Sequence, residues 1–133
     1  MDNNNQYNSL SLAFLGDAVY SLMVRDYLIG TVHPHASRLH PLSIRLVNAA
    51  SQAKAAKKIL SLLNEEESDI LRRGRNAHTG HTPKNQTEED YHYATGLEAL
   101  FGYLYLNKKD TRMTELFNFI TEDFEISEED KCR

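Results

Sequence analysis

The stretch LAFLGDAVYSLMV, Leu12 to Val24, is almost wholly apolar, yet Asp17 stands in it directly after Gly16. A second stretch, ATGLEALFGYLYL from Ala94 to Leu106, repeats the pattern around Glu98. Both read as helices that belong against a core, and together they set the fold class. An ionised carboxylate in such surroundings is costly unless it is paired, hydrogen-bonded or bound to a metal. On the first helix, the neighbours of Asp17 one turn away are Ala13, Phe14, Tyr20 and Ser21; on the second, those of Glu98 are Ala94, Thr95, Phe101 and Gly102. None is cationic, so no local salt bridge explains either acid.

Two readings follow. In one, each acid hydrogen-bonds separately inside the bundle. Alternatively the helices pack side by side, the carboxylates face each other, and their repulsion favours a divalent cation. Oxygen ligands with open positions for water suit Mg²⁺ or Mn²⁺. Gly16 and Gly102 cost each helix about 1 kcal/mol relative to Ala, which close approach or room for a ligand would explain.

The rest of the chain also reads as helical. No strictly alternating segment bounded by turn residues is present, and the chain has only 6 Gly and 3 Pro. Asn8 or Ser9 caps a first helix to about Ile29, ended by Gly30. Thr31 to Pro41 is a connector, since its prolines disfavour helix before them. A second helix spans about Leu42 to Leu63, with an Ala-rich middle. Asn64 and Glu67 form a capping box for a short third helix through about Arg73. Gly74 to Gln86 is a breaker-rich loop. Thr87, followed by three acids, caps a fourth helix to about Asn107. Thr111 opens a fifth, with Met113, Leu116, Phe117, Ile120 and Phe124 on one face. Residues 126–133 read as a frayed acidic tail. The expectation is one all-α domain over 1–133, with a core of about 9–125.

Composition narrows the class. A chain of 133 residues buries a core without staples. There is no apolar run of membrane-spanning length and no signal-peptide pattern at the N-terminus, so no membrane partner is expected. The single cysteine, Cys132, excludes an internal disulfide, and a reducing cytoplasm is the expected setting. The net charge of −4 conceals an asymmetry. Residues 1–86 hold 10 Lys and Arg against 7 Asp and Glu, whereas residues 87–133 hold 5 against 12.

The basic residues Arg72, Arg73, Arg75 and Lys84 bracket a loop with no acid between Arg72 and Gln86. Arginine binds phosphate bidentately, and Asn76, Thr79 and Asn85 add neutral donors. Lys54, Lys57 and Lys58 extend the positive charge. The alternative is an ordinary solvated polar loop. Six histidines, at 33, 35, 40, 78, 81 and 92, lack a cysteine or acid at zinc-ligand spacing. A glycine-rich phosphate loop, a GxSxG elbow and a CxxC pair are absent from the sequence.

LAFLGDAVY resembles the signature helix of the ribonuclease III family, a run of the form LEFLGDAVL, and GLEALFGYLYL resembles its second acidic helix, FEALFGALYL. The match covers about residues 9–107. The chain stops after one such domain and is similar to the short Mini-ribonuclease III subgroup, which lacks a double-stranded-RNA-binding domain; RRGRNAHTGHTPKN resembles that subgroup's loop. The resemblance implies an all-α homodimer that hydrolyses double-stranded RNA with Mg²⁺, leaving 5′-phosphates, and matures 23S ribosomal RNA precursor. It gives Asp17 and Glu98 the metal-binding, catalytic role, and it gives Arg72, Arg73, Arg75, Asn76, Lys84 and Asn85 the duplex.

Three positions depart from the full-length family's pattern. Its further acids, seven and four residues before the signature Asp, are here Leu10 and Ala13, and an Asp three residues before the Glu is here Thr95. A metal would then be held by two carboxylates, waters and RNA phosphates, with one ion or two per site left open. Leu12, Leu15, Val19, Tyr20, Met23 and the run Tyr103 to Leu106 are candidates for the dimer interface. The rival functions are a non-catalytic RNA-binding or ribosome-assembly module, and a plain helical interaction domain.

Overall fold

The computed structural model describes residues 7–32, 36–77 and 80–131. It contains six α-helices: α1 Ser9–Thr31, α2 Ala36–Val47, α3 Ala49–Ile59, α4 Glu65–Asn76, α5 Glu88–Leu106 and α6 Asp110–Thr121, with one 3-10 turn at Leu60–Leu62. Helix α5 is the axis, packed against α1, α3, α4 and α6, while α2 closes over α1 and α3. Leu97, Ala99, Leu100, Phe101 and Leu104 of α5 are fully enclosed. Around them lie Leu12, Tyr20, Val24 and Leu28 of α1, Ala56 and Ile59 of α3, Ile70 and Leu71 of α4, and Leu116 and Ile120 of α6. The Tyr20 ring meets Phe101 and Phe117 edge-on, with centroids 5.2 and 5.7 Å apart.

Backbone packs directly on backbone at two seams of α5. A Cβ on Gly16 would lie 1.6 Å from the Glu98 carbonyl oxygen, and one on Gly102 would lie 2.1 Å from that of Leu12. Glycine is the only residue that fits such an approach. On the other side, Gly96 faces the Leu71 carbonyl, and Gly74 faces Gly96 and Ala99.

The expected N-caps are present. Asn8 accepts from the Ser11 amide, Thr87 from the Asp90 amide, and Asn64 and Glu67 form a full capping box. Glu67 also receives two bonds from Arg112, at 2.8 and 2.9 Å, tying α4 to α6 while buried.

Other boundaries differ from the sequence reading. The connector of 31–41 is partly helical: α1 runs through Gly30 to Thr31, and α2 begins at Ala36 and contains Pro41. Pro41 forgoes one helical hydrogen bond, but Leu42 and Leu46 anchor α2 in the core. The single helix expected over 42–63 is broken at Asn48. Its backbone is extended and its side chain takes the Ser51 amide, a local bond that competes with helix continuation. Helix α4 continues past Arg73 to Asn76, so Gly74 serves packing rather than termination. Helix α6 starts one residue before Thr111, and Phe124 lies beyond its end.

The tail is not frayed over 126–131. Ile126 and Asp130 are buried; Arg38 of α2 grips Asp130 through two bonds at 2.8 and 3.0 Å, and Lys131 forms an isolated bridge with Val32. That grip and the Ser127 hydroxyl pull the Asp130 carboxyl down to about 2. His33, His35, His78, Thr79 and Cys132 lie outside the described residues.

Candidate functional site: a carboxylate pair beside a basic face

Asp17 sits one residue past Gly16, and Glu98 supplies the carbonyl against which Gly16 rests. The closeness of the two backbones therefore brings the two side chains together. Their carboxyls act on each other through charge and hydrogen bonding. Burial, then the charge and hydrogen bond of Asp17, push the Glu98 carboxyl up to about 8, against an ordinary 4.5. Gln52 opposes the rise.

The reading of two buried acids needs one correction. Glu98 is half-buried, but Asp17 is exposed. The outer side of α1 presents Phe14, 85% exposed, together with Leu22 and Ile29, both 68%. These positions recur at helical spacing as a second apolar stripe. The residues expected at an interface lie mostly elsewhere: Leu12, Val19, Tyr20, Tyr103 and Leu104 are buried in the protein's own core, and Leu15, Met23 and Leu106 pack against it. Tyr105 alone of that set is well exposed.

Thr95, at a position acidic in the full-length family, donates its hydroxyl to the Tyr91 carbonyl, and Ala13 is buried. Among the described residues, no group of three His, Cys, Asp or Glu could hold a metal ion. Two carboxyls forced together, with no Lys or Arg ion-paired to either among the described residues, nevertheless fit a hard divalent cation. Such a charge would relieve their repulsion and take the place of the proton on Glu98.

The six residues expected to hold RNA fall into separate groups. Arg72, Arg73 and Asn76 line a depression of about 410 Å³ between the end of α4 and the start of α1. Arg72 and Arg73 both pair with Asp69 one turn back, a neutralising partner just before the acid-free span of 72–86. Arg75 turns toward α5, where it bonds the Tyr93 hydroxyl at 3.1 Å and lies over the ring at 5.2 Å. Lys57 of α3 lies against the same ring at 4.9 Å. Lys84 and Asn85 are exposed on the loop between α4 and α5, Asn85 with a left-handed φ of 66°.

Sequence reasoning missed Gln52. It is only 3% exposed, and of the six buried residues of α3 it alone is polar. A lone Gln among alanines gives no periodic signal, and only the packing of α3 on α5 reveals its place beside Glu98. Tyr93 was missed for a similar reason, since an aromatic near a helix start reads as core.

Comparison with known proteins places these features. Residues 10–109 match the family model of the Ribonuclease III domain. The Mini-ribonuclease 3 of Thermoanaerobacter sp. (strain X514) is 46% identical over 107 residues, which is 80% of this chain and 75% of that protein. That of Brevibacillus brevis is 46% identical over 114 residues, 84% of each chain. The crystal structure of a Fusobacterium nucleatum protein superposes with a TM-score of 0.82 at 34% identity, covering 92% of this chain and 94% of the other.

Proposed function

The chain belongs to the ribonuclease III family, and from that premise we propose that Asp17 and Glu98 are its metal-binding and catalytic residues. It is an endoribonuclease of double-stranded RNA, from a family that uses divalent metal ions and forms dimers. The contact between the two carboxyls across the seam of α1 and α5 carries the assignment of the site. Mg²⁺, with Mn²⁺ as a substitute, would supply a more acidic water and neutralise charge developing on the scissile phosphate.

The protein's own part is to hold the two carboxyls close together at the seam of α1 and α5. A cation bound there would favour the ionised form of both. Arg72, Arg73, Arg75, Asn76, Lys84 and Asn85 contact the duplex backbone, which suits A-form RNA read by shape. The ion pairs of Arg72 and Arg73 with Asp69 are exposed and weak, so both side chains can turn to phosphate.

The exposed stripe of Phe14, Leu22 and Ile29 packs against the same stripe of a second copy. This two-fold arrangement would set one carboxylate pair against each strand. A 23S ribosomal RNA precursor in the cytoplasm is the substrate carried over from the likeness to the short subgroup. No helix among the described residues is long and apolar enough to cross a membrane.

The test is cleavage of a long perfect RNA duplex with Mg²⁺ or EDTA, beside the Asp17→Asn variant. Cutting that requires Mg²⁺ and vanishes in the variant is the expected result. Near-normal cutting by Asp17→Asn would remove this site from consideration. Binding without cutting, also on structured ribosomal precursor, would favour a non-catalytic module.

A further inference from the structure

Buried polar groups almost always have a hydrogen-bond partner, and each exception calls for an explanation. Gln52 is such an exception. Its amide nitrogen is enclosed and completes no hydrogen bond, although the side chain stands beside the Glu98 carboxyl. Leucine at this position would fill the same space against α5 without burying an unpaired donor. The amide thus costs the fold something that the packing of α3 does not return.

The missing partner is close at hand. The Glu98 carboxyl interacts with both Asp17 and the Gln52 side chain. A cation held by the two ionised carboxylates would leave Glu98 lone pairs free for a donor on α3. The Gln52 N–H groups are such donors. Carboxylates that bind metal ions are generally oriented by such outer donors, whose removal weakens metal affinity about 10- to 100-fold.

We infer that Gln52 is a positioning residue, whose buried amide orients the Glu98 carboxylate for a divalent cation shared with Asp17. The inference rests on the proposed metal role of Asp17 and Glu98 and adds α3 as a third element of the site. It also accounts for how two carboxylates can suffice: fixing one in orientation lowers the entropy lost on binding the ion.

The experiment compares wild type, Gln52→Leu, Gln52→Met and Asp17→Asn as RNA-free proteins. Mn²⁺ affinity is read by electron paramagnetic resonance, thermal midpoint by calorimetry, and the Mg²⁺ concentration for half-maximal duplex cleavage by titration. The expected result is a thermal midpoint equal to or above wild type in Gln52→Leu. Its Mn²⁺ affinity should be about tenfold weaker and its half-maximal Mg²⁺ correspondingly higher, with most of the rate regained at saturating Mg²⁺. A folded Gln52→Leu or Gln52→Met protein that binds Mn²⁺ within twofold of wild type overturns the inference. So does failure of both variants to fold, which would make Gln52 a structural residue. Undiminished Mn²⁺ binding by Asp17→Asn would refute the underlying site instead, so the two failures are distinguishable.

Discussion

Helices α1 and α5 are alike in sequence and opposite in circumstance. Each is long and apolar, each carries an acid within its apolar stretch, and each has a glycine where it crosses the other. Helix α5 is enclosed by four neighbours and buries ten of its residues. Helix α1 buries one face and leaves Phe14, Leu22 and Ile29 on the other. Uniform hydrophobicity therefore means a central position for α5 but one buried face and one exposed apolar stripe for α1. The acids follow suit: Glu98 is shielded and proton-retaining, whereas Asp17 is open to solvent.

Exchanging the acids probes this contrast most severely. Glu98→Gln should lose duplex cleavage by roughly a hundred- to a thousandfold, the scale of removing one preorganised electrostatic contact. Its fold should persist, because a neutral amide resembles the protonated carboxyl already present. Circular dichroism beside the cleavage assay checks both parts, and retained cutting would mean that the two acids do not act together.

The seam itself comes next. Gly16→Ala and Gly102→Ala each drive a methyl group into backbone that cannot turn aside, so each should cost about 3 kcal/mol, the upper end of typical overpacking. Chemical denaturation measures it. Gly30→Ala, in the same helix with nothing within 4 Å of the added carbon, should be neutral or slightly stabilising. Equal losses at all three glycines would show that helix propensity, not close approach, governs them.

The outer face of α1 predicts an effect on assembly. Phe14→Glu should weaken self-association by about 2 kcal/mol or more, as for a central interface residue. Sedimentation equilibrium would show this as a shift from dimer toward monomer. An unchanged dimer would place the interface elsewhere.

The smallest effect is one of pH. Glu98 binds its proton more tightly in the folded protein than in the unfolded chain, whose carboxyl titrates near 4.5. Its favourable contribution is thus complete below that value and is lost as pH rises through about 8. In EDTA the thermal midpoint should decline over this window; Glu98→Gln should flatten the decline, and Mg²⁺ should offset it at the alkaline end. A wild-type profile as flat as the variant's would contradict the raised Glu98 carboxyl.

The parts of the fold governed by local rules were legible in the sequence. Asn8, Asn64 and Thr87 announced helix starts because capping involves only residues three apart. The apolar runs around Asp17 and Glu98 announced two core helices and raised their meeting as one of two readings. Asn48 did not declare itself a break, because an Ala-rich flank on one side and Ile44 to Val47 on the other both favour helix. Pro41 suggested a stop, yet the burial of Leu42 and Leu46 outweighed it. The acidic run of 128–130 looked solvated until Arg38, some ninety residues earlier, supplied a partner. Which face of α1 remains open, and what lies beside Gln52, depend on contacts between distant segments, and no spacing rule encodes those.

The seams at Gly16 and Gly102 have a bearing on how such a protein changes over generations. Where two helices are held apart by interlocking side chains, each core substitution resets their separation by some fraction of an ångström. Here main-chain atoms rest on main-chain atoms, and these are the same whatever residues surround them. The gap between the two carboxyls is thereby insulated from drift in the core: side chains can be exchanged throughout the bundle while the span between Asp17 and Glu98 is inherited unaltered, provided the two glycines stay.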